Sequence, residues 1–108
     1  MYRVFVYGTL KKGEGNHHLL ENSECLGEGY VKGMLCNIHG LPALVEGNND
    51  VPGELYSVDG DTLERLDRLE GYSTAVPLDD CLYDRREVHT YGHFTRDVKS
   101  AFVYFWND

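Results

Sequence analysis

The chain has 108 residues with 10 basic and 18 acidic side chains, which gives a formal net charge of -8 at pH 7. This length suits one domain with a single core, so we expect residues 1–108 to form one domain. The acidic balance argues against a nucleic-acid or anionic-membrane partner, because both require basic patches. The sequence contains no run of about 18 apolar residues, so no membrane-spanning segment is predicted.

The first predicted element is a buried strand over residues 2–7 that runs into a glycine loop. Its hydrophobic run ends at Gly8, a residue type that allows a backbone to approach a ligand closely. The N–H groups of such a loop can bind a carboxylate or a phosphate, as oriented backbone amides do elsewhere. Gly8, Thr9 and Leu10 are therefore a candidate anion-binding loop. The alternative is that Gly8 only permits the turn.

Short elements follow in the first half of the chain. Asn16 is a candidate N-cap for a short helix over 17–21. Weak alternation and two glycines predict a bent strand over 28–38, in a small curved sheet or barrel. The remaining predicted elements before the main helix are a turn at 39–42, a short strand at 43–45, a turn cluster at 47–50 and a strand at 51–58.

The clearest helix begins at Asp59 or Asp61, either of which can cap it, and ends at Gly71. A loop over 72–82 and strands over 83–91 and 101–106 complete the chain. Strands dominate and two helices are inserted among them, so we expect an α+β fold.

Glu70 stands out on this helix because it lies on the same face as the apolar residues Leu63 and Leu66. It also lies in the last helical turn, where the helix dipole disfavours an anion. Burial and the dipole both raise a carboxyl pKa, which suits a group that acts as a base and then as an acid near neutral pH. The alternative is a solvated side chain at a frayed helix end. The other acidic residues of the helix are expected on a solvated surface, paired with Arg65 or Arg68: Glu64 and Asp67.

Other reactive side chains show no pattern of a site. Cys25, Cys36 and Cys81 form no CxxC pair, so we expect free thiols without a catalytic role, in a reducing, cytoplasmic setting. The five histidines are scattered or diverge from one another, so no metal site is predicted.

Taken together, the motifs resemble the gamma-glutamylcyclotransferase-like family, also described as AIG2-like. The combination of Tyr-Gly-Thr-Leu with Gly-Glu-Leu-Tyr and Leu-Glu-Gly-Tyr is highly specific to that family, and the resemblance covers nearly the whole chain in the family's order. The matching segments are residues 4–10 with Gly13 and Asn16, then 42–44, 53–58, 66–72, 83–88 and 101–104.

The resemblance implies a small mixed β-barrel with short flanking helices and a cavity at one end. It implies that Glu70 is the catalytic acid and base. It also implies a set of substrate-binding residues, which are Tyr7, Gly8, Thr9 and Leu10 around the α-amino-acid end, and Tyr83 with Arg85 from a Tyr-x-Arg segment. For Tyr83 and Arg85 the alternative is that they belong to an ordinary strand face, where the tyrosine and the arginine stack on each other.

The implied activity is cyclisation of a gamma-glutamyl amine or peptide to 5-oxoproline, with neither metal nor cofactor. The short chain looks more like the gamma-glutamylamine type than the glutathione-directed type. One departure is a longer connection over 73–82, which we expect to cover or reshape the cavity. The alternative function is a binding protein that sequesters a small anionic metabolite or nucleotide in the same cavity without turnover.

Overall fold

The computed structural model describes residues 1–107, and these contain six strands in one sheet, one α-helix and two short 3₁₀ helices. The α+β class is confirmed. The elements are β1 Tyr2–Val6, a 3₁₀ helix His17–Leu20, β2 Glu24–Ile38, β3 Leu41–Val58, α1 Gly60–Glu70, a 3₁₀ helix Leu78–Asp80, β4 Tyr83–His89, β5 Tyr91–Phe94 and β6 Ser100–Trp106. The strand order is β4-β6-β1-β3-β2-β5, in which β1 and β6 are parallel and the other neighbours are antiparallel.

The predicted barrel is wrong, because the sheet is open. Within residues 1–107, β4 pairs only with β6 and β5 pairs only with β2, so both remain edge strands. The single residue Thr90 connects β4 to β5. A hairpin needs about two residues or more in its loop. One residue is too short for such a loop, so β4 and β5 form no hairpin, and they lie at opposite ends of the strand order.

The turn predicted at 47–50 is also wrong, since β3 runs through it without a break. Gly33 pairs with Asn49 and Met34 pairs with Val45, so the residues between those two partners bulge out of the ladder. The local Gly-Asn-Asn sequence is typical of a turn, but here it forms a bulge within the long antiparallel pair of β2 and β3 and does not reverse the chain.

Helix α1 matches its prediction at both ends. The Asp59 carboxylate accepts a hydrogen bond of 2.7 Å from the Thr62 N–H, and Gly71 ends the helix in the left-handed region at φ 68°. Leu63 and Leu66 are buried against the sheet. The helix therefore ends at a defined point, and this fixes where Glu70 lies.

The central strand β1 is buried on both faces. Val4 and Val6 pack beneath α1, while Phe5 packs into a second apolar cluster on the other face. Because both faces of β1 are covered, the position at which the loop after Val6 begins is fixed by close packing. No helix among residues 1–107 has the length and apolar character needed to cross a membrane.

Candidate active site

A cavity of about 150 Å³ lies where β1 ends. Its walls come from the loop after β1, the start of β3, the last turn of α1, and strands β4 and β6. Pockets that enclose a drug-sized ligand are larger, roughly 300–1,000 Å³. Five of the predicted binding residues and the predicted catalytic residue line this cavity: Tyr7, Gly8, Thr9, Leu10, Tyr83 and Glu70.

Glu70 is partly buried in the cavity wall. Within residues 1–107 its carboxylate has no hydrogen-bond partner and no salt bridge. Burial raises its pKa from the ordinary value of 4.5 to about 7, because a low-dielectric environment penalises the charged form. A carboxyl group with this pKa exchanges its proton readily at neutral pH.

The loop after β1 is fixed by hydrogen bonds that leave its own N–H groups free. The Asn16 N–H donates to the Thr9 carbonyl and the Asn16 side-chain amide donates to Thr9 Oγ1, both at 2.9 Å. The Lys11 N–H donates to the Gly8 carbonyl at 3.1 Å. In the part of the chain that is described, the N–H groups of Gly8, Thr9 and Leu10 donate to no protein acceptor. Backbone N–H groups without a protein acceptor are the kind of donor that binds an anion.

Asn16 therefore differs from its prediction. It precedes the 3₁₀ helix, but its side chain makes no cap and binds Thr9 instead. Gly8 begins the turn that the Lys11 N–H closes, but it does so without a positive φ. A Cβ at Gly8 would lie 3.0 Å from Pro42 Cγ, so the position is one of close approach across the cavity.

Three tyrosines line the cavity: Tyr7, Tyr83 and Tyr104. The Tyr7 hydroxyl donates to the Tyr104 carbonyl at 2.7 Å and accepts from the Leu44 N–H at 3.3 Å. Its only proton is thus committed to the protein. Burial raises the phenol pKa of Tyr7 and of Tyr83, and the charge of Glu70 adds to both shifts. Both rings therefore remain neutral beside Glu70.

Arg85 does not line the cavity. Its guanidinium donates to Asp67 Oδ2 at 2.7 Å, and the Tyr104 hydroxyl donates to Asp67 Oδ1 at 2.6 Å. We call Asp67, Arg85 and Tyr104 the Asp67 cluster. The guanidinium also lies over the rings of Tyr72 and Phe102. Arg85 is therefore separated from the cavity and engaged with the protein, which disagrees with its predicted contact to substrate.

The prediction that Asp67 is a solvated partner of Arg65 or Arg68 is wrong, because its side chain is only 18% exposed and bonds to β4 and β6. The companion prediction for Glu64 is confirmed by its surface ion pair with Arg68 at 3.0 Å. The spacing of α1 could have revealed the difference, since Asp67 follows Leu63 by four residues and so shares its inward face.

Sequence reasoning missed several other cavity residues. Asn16 and Pro42 belonged to matching motifs but had no predicted role at the site. Four further lining residues also belonged to matching segments without a predicted role: Phe5, Val6, Leu69 and Tyr104. Leu41 and Leu82 had no local signal, because nothing in their sequence context indicates a ligand.

The cysteines lie outside the cavity wall. Cys25 is exposed, Cys36 is partly buried and Cys81 is buried, and each is a free thiol. Among residues 1–107 no group of three His, Cys, Asp or Glu side chains is arranged to hold a metal ion.

Comparison with known proteins assigns the family. The family described as "Gamma-glutamyl cyclotransferase, AIG2-like" matches residues 4–108, so the chain belongs to it. A relative from Methanocaldococcus jannaschii is 37% identical over 112 residues, which cover 98% of this chain and 85% of that protein. A relative from Vibrio cholerae is 49% identical over 69 residues, which cover 62% of this chain and 60% of that protein. Both are named provisionally as gamma-glutamylcyclotransferases.

The architecture agrees with this assignment. The crystal structure of an AIG2-like protein from mouse (Mus musculus) superposes with a TM-score of 0.79 at 28% identity, over 97% of this chain and 76% of that one. Some alignments cover only part of the relative: this chain spans about 60% of the length of the Vibrio relative.

Proposed function

We propose that this protein cyclises a gamma-glutamyl amine or peptide to 5-oxoproline and releases the amine, with Glu70 as the general acid and base. The observation that carries the proposal is a carboxyl group with a pKa of about 7 that lines the same cavity as a loop whose N–H groups have no protein acceptor. A substrate that carries both an ammonium and a carboxylate on one carbon matches these two features.

The proposed reaction is intramolecular. The Glu70 carboxylate accepts a proton from the α-ammonium of the glutamyl group, and the neutral amine attacks the γ-carbonyl carbon to form a five-membered ring. The C–N bond to the leaving amine then breaks as protonated Glu70 donates its proton to the departing nitrogen. The ring nitrogen still carries a second proton, which passes to the released amine, so 5-oxoproline forms with a neutral amide and the amine leaves as an ammonium. No net proton is gained or lost by Glu70. Neither step calls for a metal or an organic cofactor.

Positioning is the main contribution that the protein has to make. Well-oriented intramolecular reactions reach effective molarities of roughly 10⁵–10⁸ M, so holding the folded conformer supplies much of the rate. The N–H groups of Gly8, Thr9 and Leu10 are suited to the α-carboxylate, because Asn16 holds the loop from behind. The apolar surroundings strengthen each of these hydrogen bonds.

The test is to incubate the protein with a panel of gamma-glutamyl amines and dipeptides and to measure 5-oxoproline. We expect turnover whose kcat/KM falls below a pH of about 7 as Glu70 becomes protonated. Absence of 5-oxoproline from every member of the panel would contradict the proposal. A panel member that binds tightly but is never turned over would instead support sequestration of an anionic metabolite. The cytoplasmic setting expected from the cysteines stays a prediction.

A further inference from the structure

We infer that the site selects gamma-glutamyl amides whose leaving amine is uncharged and apolar, and that this amine packs against Leu41, Leu69 and Leu82. This inference rests on the proposed function and specifies its substrate class. We call these three side chains the leucine rim. They line the cavity, yet they are 54%, 41% and 51% exposed, so they form its outer part.

The leucine rim comes from three separate parts of the fold. Leu41 begins β3, Leu69 lies in the last turn of α1, and Leu82 precedes β4. Single exposed leucines are common on protein surfaces. A group of them that converges on one cavity is what marks a contact surface for an apolar ligand.

Leu82 is held in place by its backbone. Its N–H donates to the Gly71 carbonyl at 3.0 Å, and its carbonyl accepts from the Asn107 N–H at 3.1 Å. The left-handed turn at Gly71 also packs closely, since a Cβ there would lie 3.0 Å from Leu82 Cβ. The helix end that presents Glu70 and Leu69 is therefore tied to Leu82, and the rim is a preformed surface.

The cavity offers no partner for a charged leaving group. In the described part of the chain, no Lys, Arg or His lines the cavity, and Glu70 is its only carboxylate. The Arg85 guanidinium is paired with Asp67, outside the wall. The free N–H groups of the loop after β1 are needed for the glutamyl carboxylate. A dipeptide carries a second carboxylate, which would lose hydration where it contacts the leucines and would gain no hydrogen-bond or ionic partner in exchange. The same holds for a leaving group that carries a second ammonium.

The direct test varies only the leaving amine. Gamma-glutamyl ethylamide, propylamide and butylamide release amines of nearly equal basicity, so their intrinsic reactivity is matched. We expect kcat/KM to rise about threefold per methylene, chiefly through KM, because each added group is buried equally in the ground and transition states. The amides of 4-aminobutyrate and of 1,4-diaminobutane match butylamide in length but end in a charge. We expect each to be at least about tenfold poorer than butylamide.

A variant can reverse this preference. Leu41→Lys adds a cation at the rim on a residue exposed enough to be substituted without unfolding, and Leu35→Lys is the matched control because Leu35 is 47% exposed and lies outside the cavity wall. We expect Leu41→Lys to improve the ratio of 4-aminobutyrate amide to butylamide about tenfold, and Leu35→Lys to leave that ratio unchanged. Circular dichroism confirms that both variants are folded.

The outcomes separate this inference from the proposed function. Release of 5-oxoproline that is independent of chain length, or that favours either charged amine, overturns the leucine-rim inference while the cyclisation stands. A ratio that changes equally in Leu41→Lys and Leu35→Lys also overturns it. Turnover of gamma-glutamyl dipeptides but of none of the five amides likewise overturns only the leucine-rim inference. Formation of no 5-oxoproline from the five amides or from the dipeptides contradicts the cyclisation itself.

Discussion

The last turn of α1 carries two carboxylates, three residues apart, that enter different regions of the molecule. Asp67 accepts hydrogen bonds from Tyr104 and Arg85, at 2.6 and 2.7 Å, and is packed behind the site. Glu70 faces the cavity without a partner among residues 1–107, and burial raises its pKa to about 7. The two groups have the same chemistry, so their different roles come from their partners.

One helical turn thus carries a carboxylate that anchors the helix, Asp67, and a carboxylate that is free to react, Glu70. The Asp67 cluster ties α1 to β4 and β6, while the rings of Tyr72 and Phe102 cover the Arg85 guanidinium. Glu70 therefore keeps its place without hydrogen bonds of its own. A carboxylate that held its own position through donors would have a lowered pKa and would be a poor base at neutral pH.

Replacing the reactive carboxylate should have the largest effect. Glu70→Gln keeps the shape of the side chain but removes the proton acceptor, so we expect kcat to fall by roughly 10²–10⁴-fold. The measurement is 5-oxoproline release from the best substrate of the panel. Glu64→Gln, on the exposed face of the same helix, is the matched control and should keep its activity. Near-normal turnover by a folded Glu70→Gln protein would end the assignment of Glu70.

Breaking the anchoring carboxylate should mainly cost stability. Asp67→Asn leaves the Arg85 guanidinium largely buried without its counter-ion, and we expect the free energy of unfolding to fall by about 3 kcal/mol. Urea denaturation measures this loss. Asp61→Asn is the control, because Asp61 is exposed at the start of α1, and it should change stability by less than about 0.5 kcal/mol. Equal effects of the two substitutions would show that the Asp67 cluster does not anchor the helix.

The unpaired state of Glu70 also predicts a pH dependence of stability. Its folded pKa of about 7 lies above the ordinary value of 4.5, so the folded state binds more protons between these values and loses stability as pH rises through them. Glu70→Gln should therefore match the wild type at pH 4 and exceed it by up to about 3 kcal/mol at pH 8. Denaturation of both proteins across this range tests the sign. A constant difference would mean that Glu70 is solvated.

The smallest expected effect concerns the opposite wall of the cavity. Gly8→Val places a branched side chain against Pro42, since even a Cβ would lie 3.0 Å from Pro42 Cγ. We expect affinity for 5-oxoproline to fall about tenfold or more, equivalent to ~1.4 kcal/mol, with little change in melting temperature. Gly15→Val is the matched control, because nothing lies within 4 Å of its added Cβ. Parallel loss of affinity and stability in Gly8→Val would mean that Gly8 only permits the turn.

Features that depend on neighbours in sequence could be predicted directly. The strand before Gly8, the Asp59 cap, the Gly71 stop and the placement of Glu70 on the inward face of α1 all follow from local periodicity and capping. These signals act over one or two turns of chain. They were sufficient to identify Glu70 as an unusual carboxylate before its surroundings were known.

Features that depend on distant segments were decided by the tertiary structure. Helical spacing places both Asp67 and Glu70 on the inward side of α1, and only the approach of Arg85 and Tyr104 to Asp67 makes one of them paired and leaves the other unpaired. The bulge in β3 and the open edges of the sheet likewise depend on partner strands. The sequence by itself determined that Glu70 faces inward, because helical spacing places it on the face of Leu63 and Leu66; the same spacing applies to Asp67, whose burial the structure revealed. The fold determined which of them is paired, because hydrogen-bond partners and burial come from residues far away along the chain.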